Sequence, residues 1–212
     1  AASDVYKRQP SEYTPFAKKL VSLAGKPKFL NVETAPHAVP KRSRDGQSQM
    51  KHRHFVRNSA EMTEKEWIMA YRVIHYINQF FAGIGGEDKA DVGPEVREGV
   101  VGPGMAFKAA LGGEAEIVAT FICGDNYFAN HMDEVSALVV ETVREYKADA
   151  LIAGPAFNAG RYGAACASVC AAVQKALHIP VVTALYRENP GVDLFRKEIP
   201  IVEAADSARG MA

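Results

Sequence analysis

Residues 116–125 read Glu-Ile-Val-Ala-Thr-Phe-Ile-Cys-Gly-Asp, and this run decides the fold. From Ile117 to Ile122 it is almost wholly apolar, with no alternation of apolar and polar positions. A strand with one face in water alternates, whereas a strand covered on both faces reads as a continuous apolar run. The run stops at Cys123-Gly124-Asp125-Asn126, where glycine and polar side chains replace it. Downstream, Asp133 can cap a helix over 134–146 whose Val135, Leu138, Val139 and Val143 share one face. Residues 150–153 form another buried strand, broken at Gly154-Pro155. A helix of small residues follows from about Ala164 to Leu177, then a strand from Pro180 to Tyr186 and a short β-rich piece at 200–203. Upstream, Tyr71 to Ile77 has the β-branched and aromatic composition of a strand, and 104–111 fits a short helix ended by Gly112-Gly113. Strands alternating with helices predict an α/β fold with a mostly parallel, Rossmann-like sheet flanked by helices.

Composition agrees. Hydrophobic residues make up 48% and charged residues 24% of the 212, which are globular values. No apolar run approaches the roughly 20 residues of a membrane span. No apolar stretch of signal-peptide type follows the first residues. Three cysteines, Cys123, Cys166 and Cys170, do not make a disulfide framework, so the expected compartment is the cytoplasm. The chain stops at Met211-Ala212 without a closing element, which reads as truncation.

The neutral net charge hides two unlike parts. Residues 1–68 carry 13 Lys and Arg against 7 Asp and Glu, and residues 69–212 carry 12 against 18. Residues 3–9, SDVYKRQ, resemble the translation of a transposase adapter. Lys65-Glu66-Trp67-Ile68-Met69 can be encoded by a purine-rich ribosome-binding site ahead of a start codon. The expectation is therefore a non-native, largely unstructured segment over 1–68 and a native α/β domain over 69–212. Within the first segment, Pro15 to Ala24 alone shows a helical stripe, through Phe16, Leu20 and Leu23. The rival reading is a basic arm that binds nucleic acid. It lacks the interleaved aromatic platforms such binding uses, with Phe55 and Trp67 alone near the charges. Neither a nucleic-acid nor a membrane partner is expected.

Ligands of open parallel sheets bind beyond the carboxyl ends of the strands. The expected strand ends present Gln79 with the loop Gly83-Ile84-Gly85-Gly86, then Cys123 and Asp125, then Asn158, Arg161 and Tyr162, then Arg187, Glu188 and Asn189. The glycine loop fits neither a dinucleotide fingerprint nor a P-loop, and Glu87-Asp88 would repel a phosphate. It reads as a tight turn or as a loop gripping a partner. Cys123 reads as a nucleophile if a cation lowers its pKa, or as a small buried residue. Cys166 and Cys170 have helical spacing able to hold a metal, but no third ligand sits near them, so they read as packing and no metal is expected. Arg161 reads as a carboxylate or phosphate partner, or as a rim salt bridge.

Long strings in this chain resemble the selenoprotein subunit of component B of glycine reductase, a family shared with sarcosine and betaine reductases. They are HYINQFFAGIGGEDKADVGP at 75–94, VREGVVGPG at 96–104, EAEIVATFICGDNYF at 114–128, AGPAFNAGRYG at 153–163 and ENPGVD at 188–193. The resemblance covers 69–212 and none of 1–68. It implies an oxidoreductase subunit of amino-acid fermentation that takes part in reductive deamination of glycine to acetyl phosphate and ammonia. It also implies a selenocysteine beyond Ala212 as the nucleophile and a companion subunit whose pyruvoyl group holds the substrate amine. Selenoprotein component A and, indirectly, thioredoxin complete the expected partners. No cofactor is expected in this fragment, which is expected to be inactive alone, with its catalytic residues unassigned. Sarcosine or betaine reductase, and a non-catalytic α/β ligand-binding module, are the alternatives.

Overall fold

The computed structural model describes residues 17–20, 22–23 and 70–207. Six strands form one sheet: β1 (Tyr71–Asn78), β2 (Glu95–Glu98), β3 (Ala115–Cys123), β4 (Ala150–Phe157), β5 (Val181–Leu185) and β6 (Ile201–Glu203). Among the described residues they are accompanied by the α-helices α1 (Gly104–Leu111), α2 (Asp125–Asn130), α3 (Met132–Glu145), α4 (Gly160–Leu177) and α5 (Pro190–Phe195), by a 3-10 turn at Glu87–Lys89 and by the helical residues 17–20 and 22–23.

The spatial order is β2-β3-β1-β4-β5-β6, with β2 antiparallel to β3 and all other pairs parallel. Counting the parallel strands alone gives the order 2-1-3-4-5, the flavodoxin-like form of the doubly wound sheet rather than the 3-2-1-4-5-6 order of the dinucleotide-binding form. The α/β expectation of a mostly parallel sheet flanked by helices holds in this arrangement. The chain leaves β1 in one direction to make β3 and then turns back past it to make β4. The helices of the two directions therefore lie on opposite faces, as a single crossover hand requires.

Strand residues divide between those faces by their period of two. Ile74 and Tyr76 of β1, with Leu151 and Ala153 of β4, join Val135, Val139, Val169 and Val173 of α3 and α4 in one core. Tyr71 and Val73, with Ala150 and Ile152, join Phe107 and Leu111 of α1 in the other. Ala17 and Leu20, from the helical residues 17–20, are buried in this second core, while Leu23 is 37% exposed. The rest of the stripe expected at 15–24 lies outside the described residues.

Several boundaries differ from the sequence reading, for physical reasons. Helix α4 starts at Gly160, so Arg161 and Tyr162 belong to its first turn and not to a loop. Strand β4 continues past Gly154-Pro155 to Phe157 with a shifted register against β5. Helix α3 starts at Met132, which puts Asp133 and Glu134 in its first turn, where carboxylates oppose the helix dipole favourably. Strand β2 has no apolar pattern to announce it, because it is an exposed edge paired through its backbone.

Candidate functional site

The switch point of a doubly wound sheet lies between the two strands where the winding reverses, here β1 and β4. An open cleft of about 340 Å³ sits at their carboxyl ends. Its walls come from the ends of three neighbouring strands, the glycine loop and the residues after β6.

The floor is built from polar side chains that the fold has buried. Asn78 closes β1 and is 4% exposed. Its Oδ1 accepts the Phe81 backbone N–H at 3.0 Å, and its Nδ2 donates to Asp125 Oδ2 at 2.9 Å. Gln79 is 2% exposed, and its Oε1 accepts the backbone N–H of Asp125 at 3.1 Å. Its Nε2 donates to the Gly86 carbonyl at 3.4 Å, which ties the glycine loop to the floor. Burial raises the pKa of Asp125, and the hydrogen bonds from Asn78 and Gln79 partly offset that rise. The second carboxylate oxygen, Oδ1, is buried without a hydrogen-bond partner. Phe80, Phe81 and Phe157 supply the apolar part of the lining, and Phe80 is 48% exposed.

The glycine loop is held at its far end as well. The backbone N–H groups of Asn126 and Tyr127 donate to the Ala90 carbonyl, and Gly124 donates to Val92. A Cβ on Gly124 would lie 2.2 Å from the Ala90 oxygen, so that close approach demands glycine. Arg161 bonds to Glu87 and to Asn126, bridging the loop to α2 and α4.

The residues singled out in the sequence separate here. Gln79, Gly86, Asp125 and Asn158 line the cleft. Asn158 donates to Asp206 at 2.8 Å, so the turn after β6 closes one side. Gly83 takes a left-handed φ of +72° at the turn of the loop, and Gly85 stands beside Lys89. Arg161 reaches the rim, but its guanidinium is filled by Glu87 and Asn126. Tyr162 is 1% exposed and packs beside Tyr76 and Phe81 in the core. Asn189 is 1% exposed and acts as a structural cap: its Nδ2 donates to the Phe157 and Ala159 carbonyls, and its Oδ1 accepts Gly191 N–H. Glu188 pairs loosely with Arg187, and Arg187 lies over the Tyr186 ring, both outside the cleft lining.

All three cysteines are buried. Burial is the main cause that pushes the Cys123 thiol up to about 12, with nearby Asp125 adding to it. Burial raises Cys166 and Cys170 further. At neutral pH these are packing thiols and not thiolates. Among the described residues no group of three or more His, Cys, Asp or Glu side chains is placed to hold a metal. No helix among them is long and apolar enough to cross a membrane.

Sequence reasoning missed Asn78, Glu87 and Asp206. Asn78 carried a readable signal, an amide directly after an apolar strand. Asp206 carried none, because its place depends on β6 pairing with β5.

Fold and cleft together define a doubly wound α/β domain with an open cleft at its switch point. The chain belongs to the glycine/sarcosine/betaine reductase selenoprotein B family, whose model matches residues 70–212. It is 58% identical over 137 residues to the sarcosine reductase complex component B subunit beta of Peptoclostridium acidaminophilum, covering 65% of this chain and 31% of that one. It is 55% identical over 141 residues to the glycine reductase complex component B subunit gamma of Carboxydothermus hydrogenoformans, covering 66% and 32%. The betaine reductase complex component B subunit beta of Peptoclostridium acidaminophilum is 42% identical over 140 residues, covering 66% and 32%. The chain thus spans about a third of the length of these relatives. No solved structure matches it.

Proposed function

We propose that residues 69–212 are the α/β portion of a component B subunit that serves reductive deamination of glycine, and that the cleft between β1 and β4 is its working surface. The observation that carries this reading is the coincidence of two maps. The family match runs over 70–212, and the cleft is assembled from Asn78, Gln79, Gly86, Asp125 and Asn158, which lie in three separate stretches of it. Sarcosine is the second reading, favoured by the 58% identity to a sarcosine reductase subunit. Betaine is the third.

In this reading a selenocysteine elsewhere in the subunit would form the bond to the substrate's α-carbon as the carbon–nitrogen bond breaks, and a pyruvoyl group on a companion subunit would carry the departing nitrogen until it is released as ammonia. The reductase also works with selenoprotein component A and draws electrons from thioredoxin in the cytoplasm. This chain's own part is to bind and orient. The Asn78 amide holds the Asp125 carboxylate, the Gln79 Oε1 holds the Asp125 backbone N–H, and the Gln79 Nε2 ties the glycine loop to that floor. Its cysteines do not take the nucleophile's role, because a buried protonated thiol is a poor nucleophile. The chain alone is then inactive.

The test is a chimera. The matching third of the sarcosine reductase subunit is replaced by residues 70–212, and acetyl phosphate formation is followed with glycine, sarcosine and betaine. Turnover of glycine is the expected result, and turnover of sarcosine or betaine alone selects one of the other readings. A chimera that assembles into the complex and reduces none of the three contradicts the proposal.

A further inference from the structure

We infer that the face of β4 and β5 on the α1 side is the docking seat for a helix from the part of a component B subunit that lies outside the family match, and that residues 17–20 fill that seat in this chain. The inference rests on the family match and not on the cleft. The steps from β3 to β4, β4 to β5 and β5 to β6 all cross the sheet in one direction, so α3, α4 and α5 lie on one face. Among residues 70–207, the step from β1 to β3 runs the other way and places α1 on the second face. A helix is about 10 Å across and strands lie about 4.8 Å apart, so one helix covers roughly two strands. Helix α1 lies against β3. The second face of β4 and β5 is buried all the same, at Ala150, Ile152, Val182 and Ala184. Apart from residues of α1 and of the strands, Ala17 and Leu20 are the described buried residues of that core. They stand three positions apart on one side of a helical segment whose Lys18 and Lys19 are exposed.

The seat and its cover differ in origin. The seat lies inside the family match over 70–212, and residues 17–20 lie outside it. Relatives 55–58% identical over the matched span share only about a third of their length with this chain. A relative with this sheet has the same apolar face to keep from water, and the unmatched part of its own chain supplies the cover. Ile152 and Val182 are register partners at the centre of the seat, with the small Ala150 and Ala184 on either side. Such a surface takes a helix with small and medium apolar residues at i and i+3 and a polar outer side.

The cover is tested in the full 212-residue chain with Val182→Cys, which puts a new thiol on the covered face. The native Cys123, Cys166 and Cys170, buried in the opposite core, report global unfolding. Adding Leu20→Asp is expected to speed labelling of the new thiol by dithiobis(nitrobenzoate) at least tenfold while the native three stay unreactive. If all the thiols react together, Leu20→Ala takes the place of Leu20→Asp with the same expectation. An unchanged rate in the folded variant overturns the assignment, whether or not the chimera assembles. The occupant is identified in the chimeric reductase, which carries residues 70–212 alone of this chain. Val202, half-buried at the border of the seat, is replaced by p-benzoylphenylalanine and the complex is irradiated. A cross-link to one helical segment of the same subunit, outside residues 70–212, is the expected result. Cross-links to a companion subunit or to a second copy of the chain, or none in an assembled complex, overturn it. An active chimera without the cross-link sinks this inference alone. An assembled but inactive chimera with it sinks the reductase reading and leaves the seat.

Discussion

At the scale of single residues, His75 carries a consequence for stability. It is fully buried in β1, its Nε2 lies 2.7 Å from the Gly154 carbonyl, and its ring meets Phe107 edge-on at 5.2 Å. Burial lowers its pKa to about 4, and the bond to Gly154 offsets only part of that. The folded pKa lies below the unfolded value near 6.5, so the stabilisation is complete above that value. It is lost as pH falls from about 6.5 through about 4, because the unfolded chain takes up the proton first. The span corresponds to about 3 kcal/mol. Asp125 acts with the opposite sign: its raised pKa gives stability at low pH that fades as pH rises. Urea unfolding of wild type and His75→Gln between pH 7 and pH 4 separates the two. The histidine-dependent part of the slope is expected to vanish in the variant, and parallel curves would show that His75 is not the titrating group.

At the scale of elements, the seat of α4 is the clearest case of structure overriding a site reading. Asn189 sits at a strand end and reads as a rim residue, yet it caps α5 at N-cap with Pro190 at the first helical position. Asparagine before proline was the available signal for that helix. A strand-end position says that a side chain is near the rim but not which way it turns. Tyr162 went inward for the same reason, once α4 began at Gly160. The elements that buried apolar runs specify were legible: β1, α1, β3 and β5 fall within a residue or so of their expected bounds. Those held by backbone pairing or capping, β2, α2 and α5, were not. The Asn189 amide also fills the space above Gly163, where a Cβ would meet it at 2.2 Å. Asn189→Ala is expected to cost about 2 kcal/mol, since it removes the α5 cap and one of the two donors at each of the Phe157 and Ala159 carbonyls. Gly163→Ala is expected to destabilise by pushing the same amide aside. The double variant should then cost less than the sum by roughly 1 kcal/mol or more in urea unfolding, because the second change removes the clash. Additive costs would place the two residues in separate packing units.

At the scale of the whole molecule, two observations bear on the unit that folds. The family match begins at residue 70, while Ala17 and Leu20 are buried on the α1 face. A polypeptide of residues 69–212 is expected to unfold cooperatively, since both cores are built mainly from its own residues. Exposing the ground under Leu20 is expected to lower its stability by about 2 kcal/mol. Loss of cooperative unfolding would make residues before Met69 part of the fold. The strand order could not be read from the sequence, because apolar runs mark buried strands without saying which ones are neighbours. That order alone brings Asn78, Asp125 and Asn158 to one cleft. The claim that this cleft does the work is tested most directly by kcat/KM of the chimeric reductase carrying Asp125→Asn. The account predicts a fall of at least a hundredfold, about 2.7 kcal/mol, in an assembled complex of normal stability. Unchanged kcat/KM in such a complex would contradict it.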